Sequence, residues 1–156
     1  MPTPQVVMMG AGKLGSAFMR VIGKRARLAA WDLVPGKVAR QQSLERILPN
    51  AQIVFLCLPS WCLREASAKI APLLKEGTVV VSVSKGLEKK TLLTADAVLH
   101  QTLPSGVAFA FMGGPLLADE LLAGKPGIGV AASADPAALR KIVSLFRGTR
   151  LKIETT

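Results

Sequence analysis

The chain is poor in the side chains that most often perform catalysis or bind metals: it has one histidine, two cysteines and no tyrosine. The single His100 leaves almost nothing for histidine-based metal binding or for a catalytic triad. A disulfide framework or a zinc site needs more ligands in better spacing than Cys57 and Cys62 provide, so we expect two reduced core thiols. The sequence therefore predicts neither a metal centre nor a disulfide scaffold.

Long apolar runs are also missing. Half of the 156 residues are apolar, but no uninterrupted apolar stretch approaches the roughly 18 residues of a membrane span, which predicts no transmembrane helix. The N-terminus does not place an apolar region after a basic one, so we expect no signal peptide and a cytoplasmic location. The length suits a single domain, residues 1–156, with one sizeable core.

Acidic residues are scarce: the sequence has ten of them and 20 lysines and arginines, which gives a net charge of +10. The basic residues are scattered over several segments. They are not interleaved with exposed aromatic side chains, as a base-stacking surface would require. We therefore expect no nucleic-acid partner, although the positive field would attract a small phosphorylated molecule.

A glycine motif near the N-terminus is the most informative feature that is present. Residues 6–15 read V-V-M-M-G-A-G-K-L-G, in which a short apolar run leads into G-x-G-x-x-G and a helix-like segment. In such a motif Gly10 allows a tight turn, Gly12 lets the backbone approach a pyrophosphate, and Gly15 allows the helix to pack closely on the strand. The helix then directs its N-terminal amides at the negative charge. An ordinary strand-to-helix connection is the alternative interpretation.

An acidic residue follows at the distance that a dinucleotide site requires. Residues 28–31 are predicted to form a second strand, and Asp32 stands at its end, 22 positions after Gly10. A carboxylate about 20 residues after the first glycine accepts hydrogen bonds from the ribose hydroxyls of adenosine and disfavours a 2′-phosphate. The alternative is a turn residue before Pro35. Together with the glycines, Asp32 predicts NAD as the coenzyme, with NADP as the second choice.

The remaining sequence alternates between strand-like and helix-like segments, interrupted by a short polar segment at 37–49. The predicted strands are 53–58, 78–83, 107–112, 128–132 and 151–153, and the predicted helices are 60–74 with Ser60 as its N-cap, 90–99, 117–124, and one that follows Asp135 as its N-cap. Strands that are apolar on both faces are typical of a parallel sheet covered by helices. The pattern predicts an α/β fold with a doubly wound, mostly parallel sheet and helices on both faces.

Unusual residues stand at the carboxyl ends of these strands, where open parallel sheets bind ligands. They are the glycine loop, Asp32, Pro59 with Ser60, residues 84–86 and residues 113–115. Lys85 is notable because it directly follows a valine-rich strand and precedes Gly86, so that its ammonium group can reach into the cleft. The alternative is a solvated loop lysine.

These segments together resemble one known family. G-A-G-K-L-G-S-A at 10–17, L-P-S at 58–60, S-K-G-L-E at 84–88 and G-P-L-L-A-D-E at 114–120 occur in the order seen in NAD(P)-dependent glycerol-3-phosphate dehydrogenase. They extend over nearly the whole chain, and S-K-G-L-E is the most discriminating of them. The chain is thus similar to the N-terminal, Rossmann-type coenzyme-binding domain of such an enzyme.

The resemblance implies roles for individual residues. It implies that Lys85 lies beside the coenzyme and the substrate's phosphate or hydroxyl groups, and that Gly114 contacts the substrate. Coenzyme contacts are implied or predicted at Gly10, Ala11, Gly12, Lys13, Leu14, Gly15, Asp32, Pro59, Lys85 and Ala118. The implied substrate is a small phosphorylated molecule, sn-glycerol 3-phosphate or dihydroxyacetone phosphate, and the expected assembly is a homodimer.

Three departures from the family pattern stand out. Leu14 replaces the aromatic residue usual in the glycine loop, and Leu116 replaces the serine usual after Gly-Pro. The family's second, helical domain, with its lysine-asparagine catalytic motif and phosphate-binding arginine, is expected to be absent from residues 1–156, so we expect this chain alone to be inactive. Two alternatives stay open: the first domain of another reductase, of the ketopantoate reductase or 2-hydroxyacid type, and a nucleotide-binding module without catalysis.

Overall fold

The computed structural model of the protein describes residues 3–156, which form one seven-stranded sheet with helices on both faces. The strands are β1 (Gln5–Met9), β2 (Arg27–Trp31), β3 (Ile53–Leu56), β4 (Val79–Ser82), β5 (Ala108–Gly113), β6 (Gly127–Ala132) and β7 (Leu151–Thr155). The α-helices are α1 (Lys13–Ile22), α2 (Leu44–Ile47), α3 (Leu63–Ile70), α4 (Ala95–Thr102), α5 (Ala118–Leu122) and α6 (Pro136–Phe146). Single turns of 3-10 helix occur at Gly23–Arg25, Leu48–Asn50, Ser60–Cys62 and Ala71–Leu73.

The strand order is β2-β1-β3-β4-β5-β6-β7. The first five strands are mutually parallel, whereas β6 runs antiparallel to β5 and parallel to β7. The chain winds to one side of β1 to form β2 and then to the other side to form β3, so the strand order switches direction between β1 and β3. This arrangement confirms the predicted doubly wound, mostly parallel sheet, and it brings the carboxyl ends of β1 to β5 to one edge.

Alternate residues of the strands enter two separate cores, one on each face of the sheet. In β1, Val6 and Met8 pack beneath α1 and α6, while Val7 and Met9 pack beneath α2, α3 and α4. The first core centres on three phenylalanine rings that meet edge to face at centroid distances of 5.7–6.1 Å: Phe18, Phe55 and Phe146. Burial on both faces explains why the parallel strands read as continuous apolar runs.

Two sequence-based predictions of local structure are wrong. The helix predicted at 90–99 is α4, Ala95–Thr102, because residues 88–93 form a turn in which Glu88 and Leu93 are joined through their backbones at 2.9 Å and Leu92 adopts a φ of +58°. The segment 37–49 is not simply polar. Leu44 and Ile47 on α2 and Leu48 on the 3-10 turn that follows are buried in the second core, and these elements are too short to show periodicity.

Two cap predictions have opposite outcomes. Asp135 caps α6, since its carboxylate accepts the Ala137 amide at 2.7 Å. Ser60 does not cap the helical segment that begins there; its hydroxyl instead donates to the carbonyl oxygen of Leu87 at 3.4 Å.

Within residues 3–156, no helix combines the length and the apolar character needed to cross a bilayer.

Candidate functional site

The glycine motif after β1 places Gly10 and Gly12 in the loop and Gly15 in the first turn of α1, in different surroundings. Gly10 has a φ of +96°, and a Cβ added there would overlap the carbonyl oxygen of Cys57 at the end of β3. Gly15 lies so close to the loop that an added Cβ would collide with the carbonyl oxygen of Gly10. At Gly12 an added Cβ would meet no described atom within 4 Å. The fold itself therefore requires Gly10 and Gly15, whereas the space at Gly12 is open to a ligand.

The N-terminus of α1 opens into this space. The helix begins at Lys13, directly after Gly12, and no side chain in the described part of the chain caps it. The amides of its first turn have no partners within the helix, and its dipole places partial positive charge at this end. Open space beside uncapped amides is a cradle for an anion. These residues therefore fit the pyrophosphate of a dinucleotide.

Asp32 is fixed against the glycine loop. Its carboxylate accepts the Ala11 amide at 2.8 Å on one oxygen and the Val34 amide at 2.9 Å on the other. The Gln41 side chain pairs with the backbone N–H and carbonyl of Asp32, at 2.8 and 3.0 Å. Because an ionised carboxylate accepts about four hydrogen bonds, it retains capacity for ribose hydroxyls. Sequence reasoning missed Gln41, which lies in the segment interpreted as polar loop.

Lys13 connects the glycine loop to α5. Its ammonium group lies 3.1 Å from the carboxylate of Asp119, and both side chains are largely exposed. The pair brings the start of α1 close to the start of α5, where Ala118 is the first helical residue. An exposed ion pair of this kind contributes little stability, so Lys13 can exchange its partner for an anion in the cradle. Leu14, next to it, packs partly against the first core.

The loops after β3 and β4 are hydrogen-bonded to each other. The Ser84 hydroxyl donates to the carbonyl oxygen of Leu58 at 2.7 Å, in addition to the bond between Ser60 and Leu87. Pro59 lies between these contacts and is exposed. Because β3 lies between β1 and β4, the paired loops are adjacent to the glycine loop at the carboxyl edge of the sheet.

An ion pair anchors the far end of the S-K-G-L-E segment. Arg64, on α3, donates to both carboxylate oxygens of Glu88 at 2.7 and 3.0 Å and also to Gln101 of α4 at 2.9 Å. The Thr91 hydroxyl donates to the same carboxylate. The hydrogen bond from Arg64 is the main reason that the pKa of Glu88 is lower than usual. The sequence motif includes Glu88, but sequence reasoning missed its ion-pair partner Arg64, which lies 24 residues earlier.

Lys85 is exposed in the middle of this anchored segment. Among residues 3–156 it has no hydrogen-bond or ion-pair partner, since the nearby Glu88 is occupied by Arg64. Gly86, the next residue, has a φ of +92°, a conformation that favours glycine and turns the chain. The structure thus places an ammonium group without an ion-pair partner at the carboxyl edge of the sheet. It lies on the loop after β4, and the loop after β3 separates it from the glycine loop.

Gly114 and Leu116 follow β5 at the same edge. Gly114 has a φ of +109°, and a Cβ added there would lie 3.4 Å from the carbonyl oxygen of Ile128 on β6. Leu116 packs against the first core, and its side chain fills the space above Gly129. The turn therefore accounts for a glycine at 114, and packing on β6 accounts for a leucine at 116.

The Cys57 thiol is unsuited to act as a nucleophile. Cys57 is largely buried beside Met8, with its sulfur 3.4 Å from the methionine sulfur, and burial raises the pKa of the Cys57 thiol to about 12. A thiol with this pKa stays protonated at neutral pH and is a poor nucleophile. Both cysteines are reduced. The described residues contain no cluster of three or more potential metal ligands.

The glycine cradle, the carboxylate at the end of β2 and the loops at the carboxyl edge define a dinucleotide-binding α/β domain of the Rossmann type. Residues 32–139 match the family described as NAD-dependent glycerol-3-phosphate dehydrogenase N-terminus, and the chain belongs to that family.

Individual relatives agree with this assignment. The chain is 30% identical to a glycerol-3-phosphate dehydrogenase (NAD(P)+) of Geobacter metallireducens, over 97% of this chain and 52% of the relative. It is 38% identical to the corresponding enzyme of Geobacter sulfurreducens over 72% of this chain and 34% of that relative. The chain thus spans about half the length of the curated relatives that it matches over its whole extent.

Solved structures show how widely the fold is shared. The glycerol-3-phosphate dehydrogenase of Coxiella burnetii superposes with a TM-score of 0.86 at 21% identity, covering 99% of this chain and 55% of that one. A pyrroline-5-carboxylate reductase from the same organism superposes with a TM-score of 0.76 at 14% identity, covering 99% and 59%. At these identities the likeness establishes the fold and does not select a substrate.

Proposed function

We propose that the chain is the coenzyme-binding domain of an oxidoreductase that interconverts sn-glycerol 3-phosphate and dihydroxyacetone phosphate with NAD(H). The family match over residues 32–139 is the observation that carries the proposal. The same match favours this substrate over the ketopantoate and 2-hydroxyacid alternatives. When bound, the nicotinamide takes up or returns the hydride.

The coenzyme is proposed to lie along the carboxyl edge, across the switch between β1 and β3. The α1 amides and the space at Gly12 would hold the pyrophosphate, and Asp32 would accept hydrogen bonds from the adenosine ribose. The residues proposed to line the coenzyme are Gly10, Ala11, Gly12, Lys13, Leu14, Gly15, Asp32, Pro59, Lys85 and Ala118. A site built largely from backbone and small side chains suits a ligand that must pass close to the sheet.

Lys85 is proposed to bind a substrate oxygen or phosphate, and Gly114, in the turn after the neighbouring strand β5, is proposed to contact the substrate. Arg64 and Glu88 would act as positioning residues that hold the lysine-bearing loop in place. Hydride transfer also needs an acid or base within hydrogen-bond reach of the reacting hydroxyl and further groups that fix the substrate. Lys85 alone does not supply them, and we propose that a second half like that of the relatives does.

Coenzyme preference is the first testable consequence. The chain is expected to bind NADH about tenfold more tightly than NADPH. A 2′-phosphate near the Asp32 carboxylate meets a repulsion on the order of 1 kcal/mol, and the exposed Leu33 beside it offers no cation. Titration of both reduced coenzymes, followed by Trp31 fluorescence in a Trp61→Phe background, measures the ratio.

Asp32→Asn should reduce this preference, whereas Asp119→Asn, which removes an exposed carboxylate from the neighbouring α5, should leave it unchanged. If Lys37 or Arg40, on the segment that follows β2, approached the 2′-phosphate, its positive charge would reverse the preference. NADPH binding as tight as NADH binding in the parent chain would contradict the assigned role of Asp32.

The 156-residue chain by itself is expected to bind NADH but to show no measurable oxidation of glycerol 3-phosphate by NAD+. The reason is the shortage of acid, base and substrate-fixing groups around Lys85. Absorbance of the reduced coenzyme at saturating substrate measures turnover, and calorimetry on the same preparation confirms binding. Turnover comparable with that of a relative of full length would show that these residues contain a complete active site.

A further inference from the structure

A cavity lined by basic side chains lies at the opposite end of α1 from the glycine loop. Its volume is about 370 Å³, and it lies among the C-terminal ends of α1 and α5 and the segment that follows α6. Because α1 has 10 residues, the two ends of the helix are about 15 Å apart. Three arginines line this space, which we call the arginine cavity: Arg20, Arg25 and Arg150.

Two of the arginines are fixed by the backbone. Arg25 donates to the carbonyl oxygens of Arg147 and Gly148 at 3.1 and 2.9 Å, and Arg150 donates to the carbonyl oxygen of Gly124. Gly148 and Gly124 have φ values of +71° and +80°, and the guanidinium groups occupy the space that a side chain there would take, since a Cβ at Gly148 would lie 3.3 Å from Arg25 and one at Gly124 would lie 2.5 Å from Arg150. The cations are thus held in place before any ligand arrives, and each keeps N–H donors that these carbonyls do not use.

The charge of the arginine cavity is not compensated by its surroundings. Three helix C-termini contribute at most about −1.5 elementary charges, and the five-residue α5 contributes less than a full helix. Three guanidinium groups contribute +3. No acidic side chain lines the cavity, and Glu120, one turn before Gly124, faces Lys125 at 3.6 Å. Within residues 3–156, Arg20 has no hydrogen-bond or ion-pair partner, so capping of helix ends explains Arg25 and Arg150 but not Arg20.

We propose that the arginine cavity binds a small phosphate-bearing anion with at least two negative charges. Guanidinium groups bind phosphate oxygens through paired, charge-assisted hydrogen bonds, and arginine is suited to this role because it cannot lose its proton. The volume lies within the range of small-molecule sites. The site is separate from the coenzyme cradle, and the proposal does not depend on the substrate of the enzyme.

The test uses pyrophosphate as the probe and the ¹⁵N-labelled chain at physiological ionic strength. Saturable shifts are expected at the amides of Gly124 and Gly148 and at the side-chain Nε–H of Arg20. Arg20→Gln should weaken binding about tenfold or more, because a charge-assisted contact is lost and no backbone carbonyl loses its donor. Arg140→Gln, on the exposed face of α6 outside the cavity, is the matched control and should not change the affinity.

The experiment also separates a binding role from a purely structural one. Arg25→Gln should both weaken pyrophosphate binding and lower the melting temperature, whereas Arg20→Gln should affect binding alone. The proposal is overturned if shifts are confined to the glycine loop, if they rise linearly without saturation, or if Arg140→Gln weakens binding as much as Arg20→Gln does.

Discussion

Replacement of Gly12 by alanine is expected to weaken NADH binding about 10- to 100-fold, because charge-assisted contacts between the amides and the pyrophosphate, worth roughly 1.5–3 kcal/mol, are lost. The free energy of unfolding should change little. Gly12 has a φ of −72°, which alanine adopts without strain, and its Cβ would enter open space. That space is where a pyrophosphate has to approach the backbone. Calorimetry with NADH and urea unfolding of the same sample measure both quantities.

Gly15→Ala is the matched control, because the same methyl group is added three residues later in the same glycine motif. Gly15 itself lies in the first turn of α1, where the Cβ would collide with the carbonyl oxygen of Gly10, and we expect a destabilisation of about 2 kcal/mol or more. Gly12→Ala protein that binds NADH as tightly as the parent chain would refute the cradle. Gly12→Ala protein that unfolds as readily as Gly15→Ala would show that Gly12 has a structural role.

The parts of the site that could be predicted are those encoded over short distances in the chain. The glycine loop is contiguous, and Asp32 follows at a separation set by one helix and one strand, which depends little on the rest of the protein. The strands were predictable because burial on both faces leaves an unbroken apolar run, as in β3 and β4. These signals come from local geometry and composition, so one sequence is enough to read them.

The parts that could not be predicted depend on partners far apart in the chain. Arg64 and Glu88 are 24 residues apart, and nothing local to either indicates the other. Gln41 closes the turn after Asp32 from within a segment without periodicity. The direction of β6 is a further example, because an apolar run predicts a strand but carries no information on whether it pairs parallel or antiparallel.

These long-range contacts hold the exposed lysine-bearing loop at both ends. Arg64 holds Glu88 at one end of the S-K-G-L-E segment, and Ser84 bonds to Leu58 at the other. The pKa of Glu88 is lower than usual, so the pair is intact at neutral pH and weakens only as the pH falls towards the range where this carboxyl is protonated. Lys85 lies between these two anchored ends, and its exposed side chain bonds to no other described residue.

Lys85→Ala is expected to lower kcat/KM for dihydroxyacetone phosphate by about ten- to a hundredfold, equivalent to the loss of a charge-assisted contact of roughly 1.5–3 kcal/mol. The melting temperature should be nearly unchanged, because Lys85 is exposed and bonds to no other described residue. The measurement needs a complete enzyme. A chimaera in which this chain replaces the matching first half of the Geobacter metallireducens relative provides one.

Lys89→Ala is the control within the same chimaera, since it removes an equally exposed ammonium group four residues further along the loop. If Lys85 binds the substrate, only the first variant loses activity, and the loss should be partly restored by Lys85→Arg, which keeps a cation at this position. A solvated loop lysine would instead make both alanine variants indistinguishable from the parent. A wild-type kcat/KM in Lys85→Ala would refute the proposed role of Lys85 in binding the substrate. It would not affect the proposed coenzyme cradle, which the Gly12→Ala variant tests separately.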